Sequence, residues 1–117
     1  MTIELEPEAP MRSYQTYIEA LERMHGWLET DLVHNCFLMG EEVGELFKAI
    51  RNHTRYCIEP SPDSRVDPDL AASKAAVAAE IVDVFNYLLA LANRLDIDLE
   101  TAFRDKNEHN QRRSWKK

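Results

Sequence analysis

The chain has only three glycines and two cysteines among its 117 residues, and its five prolines are confined to a few places. So little glycine, spread over a composition that is 30% charged and 44% hydrophobic, excludes a fibrous repeat and wholesale disorder, and it favours helices. Cys36 and Cys57 stand far apart without CxxC spacing, so neither a zinc knuckle nor a disulfide framework is expected, and a reducing cytosol is the simplest setting. Basic residues are scarce: 14 Lys and Arg against 21 Asp and Glu, a net charge of -7. That balance argues against nucleic acid or a membrane as partner, because both repel an acidic chain unless its cations are segregated. Partial segregation exists, since six of the basic residues fall between Arg104 and Lys117, beside two acids. The opening MTIELEPEAP lacks the basic and apolar segments of a secretory signal, and no Arg-rich transit stretch follows, so a cytoplasmic location is expected. The most apolar run, Ala75 to Ala92, is broken by Glu80, Asp83 and Asn86, each costly at bilayer depth. Strand-like alternation, internal repeats and low-complexity tracts are absent.

What is present reads as one domain, residues 1–117, whose length suffices to hide roughly two thirds of its extended surface. Residues 1–10, with two prolines, and 114–117 are expected to be loose. Tyr14, Tyr17, Ile18, Leu21, Met24 and Leu28 recur at helical spacing, and a break near Thr30 and Asp31 precedes a second stripe of Met39, Val43, Leu46, Phe47 and Ile50. Helix two is expected to end near Arg55. Pro60, Pro62 and Pro68 predict a loop over 56–73, followed by a mostly apolar helix from Lys74 to about Leu95. Asp98 is placed to cap a fourth helix, Leu99 to about Arg113. The fold class expected is all-α, a four-helix bundle with a long proline-containing loop between helices two and three.

Two acid pairs stand out, Glu42 with Glu45 and Glu80 with Asp83, each spaced i, i+3. That spacing puts both carboxylates of a pair on one helix face, one turn apart. A helical wheel sets Glu42 and Glu45 beside the apolar stripe, and turns Glu41 toward solvent with Lys48, Asn52 and Arg55. No Lys, Arg or His occurs from Ala75 to Asn93, so Glu80 and Asp83 have no cation on their own helix. If the four acids converge, each anion pair about 5 Å apart repels by roughly 3 kcal/mol at an effective dielectric of about 20. A divalent cation relieves that repulsion, and an all-oxygen donor set suits Mg2+, with Mn2+ as a substitute. The plainer reading of either pair alone is a solvated acidic face; the two pairs together favour a metal site.

On helix four, Leu99, Ala102 and Phe103 begin a stripe that continues through Lys106, Asn110 and Arg113, a face expected to point inward and to meet an anion such as a polyphosphate. The plainer alternative is a frayed helix whose cations complement its dipole. Tyr87, one turn past Asp83, and Trp27 and Trp115 are candidates for stacking on a nucleobase. Glu22 and His25 form a single ExxH, but a di-iron bundle needs two.

EEVGEL (Glu41–Leu46), EIVDVFNYLLALANRLDIDLETAF (Glu80–Phe103) and KNEHNQRR (Lys106–Arg113) resemble the MazG-type, all-α nucleoside triphosphate pyrophosphohydrolases. The resemblance implies Mg2+-dependent hydrolysis of a nucleoside triphosphate, such as a dNTP or a non-standard nucleotide, to a monophosphate and pyrophosphate, as in nucleotide-pool cleaning. It implies metal ligation by Glu42, Glu45, Glu80 and Asp83, and substrate binding by Lys106, Asn110 and Arg113. It also implies a homodimer or homotetramer. The interval from Glu45 to Glu80 is longer than is typical of that family, so base preference does not transfer. Glu45 is the expected general base. Two rival readings stand beside this one: a non-catalytic, cation-binding interaction module, which has no use for a basic inward face, and phosphoribosyl-ATP as the substrate.

Overall fold

The computed structural model describes residues 2–54 and 70–114. Among them are four α-helices and no strand, the expected all-α class: α1 (Met11–His25), α2 (Leu32–Thr54), α3 (Leu70–Arg94) and α4 (Leu99–Arg112). Arg55, most of the expected 56–73 loop, and Trp115 with the last two residues of the tail lie outside the described residues. Residues 70–73 of that expected loop are helical, so α3 begins four residues before Lys74. Proline bars a helix only at and just upstream of itself, and beyond Pro68 the strong helix formers Ala71 and Ala72 take over. The described residues form two compact units, Met1–Leu32 with Leu89–Lys117, and Val33–Leu88.

In the first unit, α1 starts directly after Pro10, whose carbonyl accepts from Ser13 N at 2.9 Å. It stops at Gly26, not near Leu28 as the apolar stripe suggests. Gly26 takes φ +74°, a left-handed conformation that costs glycine nothing, and two bonds close the last turn: Gly26 N to Arg23 O and Trp27 N to Glu22 O. The same pattern ends α3, where Asp96 adopts φ +54° and Ile97 N reaches Ala92 O at 2.9 Å. Asp98 then caps α4 as its position predicts, with Oδ2 accepting from Thr101 N and Thr101 Oγ1. Those Thr101 bonds, joined by the Arg12 guanidinium 2.8 Å from Oδ1, hold the Asp98 carboxyl below its ordinary range.

Polar groups fasten this unit as much as its small core of Ile18, Leu89, Ala90 and Ala92 does. Gln15, only 1% exposed, donates to Asn93 Oδ1 and Ile97 O and accepts from Leu99 N, while Asn93 donates back to Gln15 O. All these partners sit at the α3–α4 turn, so α1 fixes the direction in which α4 leaves. Glu22 and Arg94 form a bidentate pair at 2.6 and 3.0 Å, with side chains 8% and 14% exposed. Arg94 spends its remaining donors on the carbonyls of Thr30, Ala90 and Trp27. Every N–H of the guanidinium is thereby used. Glu22 thus faces a guanidinium, whereas His25, its ExxH companion, stacks on Trp27.

In the second unit, α2 and the first part of α3 lie side by side and antiparallel. Glu42 meets Glu80 and Asp83 at one end, and His53 Nδ1 lies 2.7 Å from Ser73 Oγ toward the other. Large apolar side chains face outward, among them Val33, Phe37, Phe47, Ile81 and Val82, with Phe37 72% exposed. By length and composition alone, Ala71–Arg94 suffices to cross a membrane. Glu80 and Asp83 within it are expensive at that depth.

Candidate active site

The expected convergence of acids occurs, with three members. Glu42 on α2 and Glu80 and Asp83 on α3 each bring a carboxylate oxygen within 4.8 Å of the others. Oxygens this close are spaced as ligands of one cation are, since hard divalent ions bind oxygens at about 2.0–2.6 Å. Glu42 and Glu80 are half-buried and Asp83 is exposed. The i, i+3 step puts Glu80 and Asp83 on the α3 face that meets α2. Glu45 stands outside the trio and is exposed, a correction to the wheel, which set it partly inside. The apolar stripe beside it does not cover it, since Phe47 and Ile50 also face outward.

The electrostatics bear the mark of crowding. Burial pushes the Glu42 carboxyl above its ordinary range, and the charges of Asp83 and Glu80, a hydrogen bond to Glu80 and the nearby Glu45 push it the same way. Glu80 Oε2 is buried without a hydrogen-bond partner among the described residues. An orphaned acceptor beside two further carboxylates is the environment a bound cation completes. None of the ion pairs among the described residues engages any of these acids.

One pH prediction follows from Glu42. An acid with a raised folded pKa contributes stability that is present below its unfolded value, about 4.5, and lost as pH rises through the folded one. In EDTA, therefore, Glu42→Gln should gain melting temperature relative to the parent as pH rises from 4 to 8, and saturating Mg2+ should reverse the order. A difference that does not change with pH or metal would contradict it.

Beside the trio, and sharing Glu80 with it, lies a cleft of about 450 Å3 between α2 and α3, a size ordinary for small-molecule sites. Glu45, Lys48, Ala49 and Asn52 form one wall, and Ala72, Ser73, Ala76 and Glu80 the other. Sequence reasoning missed Lys48 and Asn52, which the wheel assigned to solvent. The usable signal was their i+3 and i+7 spacing from Glu45, which places all three on one face.

The basic face of α4 does not point inward. Lys106 and Arg113 are exposed, and Phe103 is 67% exposed. The half-buried positions are Leu99, Ala102, Asn107 and Asn110, and Asn110 Nδ2 donates to Asn107 Oδ1. The α1–α4 bonds cluster at the first turn, on Asp98 and Leu99, and α4 ends at Arg112 with Arg113 already extended. The basic face therefore does not separate an enzyme from a non-catalytic module. Tyr87 is half-buried on α3, one turn past Asp83. Trp27, half-exposed in the first unit, offers a base one face at most, because the other stacks on His25 at 4.4 Å.

The family model for phosphoribosyl-ATP pyrophosphohydrolase matches residues 3–110. The chain belongs to that family. The match covers α1, α2, α3 and most of α4, and with them the three converging acids and the described lining of the cleft. This family is part of the all-α nucleoside triphosphate pyrophosphohydrolase superfamily, to which the MazG-type enzymes are related, and membership brings pyrophosphohydrolase activity on a nucleotide. No curated protein matches the chain.

Proposed function

We propose that this phosphoribosyl-ATP pyrophosphohydrolase family member hydrolyses the α–β phosphoanhydride of a nucleotide 5′-triphosphate, with Mg2+ or Mn2+ held by Glu42, Glu80 and Asp83. The observation that carries the proposal is the meeting of those three carboxylates, one of which, Glu80, keeps a buried oxygen without a hydrogen-bond partner among the described residues. When bound, the cation neutralises phosphate oxygens and lowers the pKa of water. Glu45, exposed in the adjoining cleft and without an ion pair among the described residues, accepts a proton from the attacking water. The water oxygen bonds to the α phosphorus, the bond to the bridging oxygen breaks, and pyrophosphate departs with the electron pair. The resemblance to the MazG-type enzymes assigns phosphate oxygens to Lys106, Asn110 and Arg113, and the place of Tyr87 one turn past Asp83 suits it to a base.

The family match favours phosphoribosyl-ATP as substrate. A dNTP or non-standard nucleotide, in a pool-cleaning role, is the second reading, favoured by EEVGEL and KNEHNQRR. Both offer the same triphosphate to the acids. Incubation of the chain and Mg2+ with phosphoribosyl-ATP and a panel of NTPs and dNTPs, with products identified, is expected to release pyrophosphate from at least one of them. Release from none overturns the proposal.

Assembly with further copies of the chain fits the α2 surface. Val33, Phe37, Gly40, Gly44 and Phe47 recur at alternating four- and three-residue steps, the spacing of a helix seam. Val33, Phe37 and Phe47 are exposed, and a Cβ built on either glycine meets nothing within 4 Å. A homodimer, or a tetramer made from it, would cover this stripe. Cys36, free and exposed, fits a cytoplasmic setting.

A further inference from the structure

We infer that Lys48 binds the phosphate chain of the substrate, at oxygens beyond the reach of the acid trio; the inference rests on the pyrophosphohydrolase reading above. Glu80 lines the cleft, and among the described residues its other charged lining is Glu45 and Lys48. A polyphosphate entering it meets two carboxylates there and two more at Glu42 and Asp83. A single divalent ion offsets only half of that charge, so the anion needs a further cation to settle in the cleft.

Among the described residues Lys48 is the one cation lining the cleft, and it makes no ion pair even though Glu45 lies one turn away. Its ammonium is therefore uncommitted, on a four-carbon stem that can lie along the Ala49 side of the cleft while the head stays in water. From Glu45 to Asn52 the α2 wall runs seven residues, about 10 Å, long enough to follow a phosphate chain away from the acids. The opposite wall supplies small side chains, Ala72 and Ala76, that leave the space open.

The test compares the parent chain with Lys48→Met and Lys48→Arg. Binding of inorganic pyrophosphate in the presence of Mn2+ is followed by calorimetry, and Mn2+ binding alone is measured separately. Lys48 is exposed and Met keeps its stem, so both variants should fold, which circular dichroism checks. Lys48→Met is expected to bind pyrophosphate at least about tenfold more weakly, the usual weight of a hydrogen bond to a charged group, with Mn2+ binding unchanged and Lys48→Arg intermediate. On any substrate the parent cleaves, the loss should fall more on KM than on kcat. Equal pyrophosphate affinity in parent and Lys48→Met, or no pyrophosphate binding by the parent, overturns the inference. A parent that binds pyrophosphate but cleaves no nucleotide instead overturns the catalytic reading and leaves the Lys48 comparison to be read from binding.

Discussion

Glu80→Gln is expected to lower pyrophosphate release by at least about a hundredfold while leaving the metal-free protein as stable as the parent or more so. Glu80 is the acid that joins the two parts of the site: it belongs to the carboxylate trio and also lines the cleft. Its Oε2 is buried and unpartnered, so the neutral amide relieves repulsion from Glu42 and Asp83 at little cost in hydrogen bonds. What the amide removes is a charged ligand, and loss of a ligand or its support ordinarily costs a metal site one to two orders of magnitude or more. Asp83→Asn should act alike, the metal-free protein being as stable or more stable and most of the stabilisation by Mg2+ disappearing. Equal melting shifts with Mg2+ in parent and variant would contradict this. So would full activity in Glu80→Gln.

Arg94→Ala has the largest expected effect on stability, about 3 to 5 kcal/mol by urea unfolding at matched protein concentration. The reason is what it leaves behind: Glu22, 8% exposed, loses both guanidinium bonds, and the carbonyls of Thr30, Ala90 and Trp27 lose their donors. Lys in place of Arg should recover only part, because a point charge cannot span two carboxylate oxygens and three carbonyls. Glu22→Leu combined with Arg94→Met should lose much less than Arg94→Ala alone, since it removes both charges together. A cost below about 1 kcal/mol for Arg94→Ala would show that the pair is solvated and not the clamp described.

The helices were legible because periodicity and capping are local. Asp98 capped α4 where its position suggested, and Glu42, Glu80 and Asp83 met as their spacing suggested, while Glu45 stayed outside. The failures concern partners distant in sequence. Glu22 and Arg94 are 72 positions apart, and nothing local distinguishes an acid that clamps an arginine from one that begins an ExxH. The inward basic face failed for a related reason, because spacing shows which residues share a side of α4 but not whether anything covers that side. Lys48 is exposed, as the wheel has it; what spacing does not show is the opposing helix that makes its face one wall of a cleft. Gly26 was a plain stop signal, overridden by an apolar stripe that ran two residues past it.

Titration of Mn2+ into the parent protein and Glu80→Gln, with the free ion followed by its electron paramagnetic resonance, bears most directly on the carboxylate trio. The parent should quench the six-line signal of free Mn2+ to a saturating stoichiometry, and Glu80→Gln should leave the signal largely intact at the same concentrations. Undiminished free Mn2+ in the presence of the parent protein, or identical quenching by both proteins, would mean that Glu42, Glu80 and Asp83 are crowded for some purpose other than holding a cation.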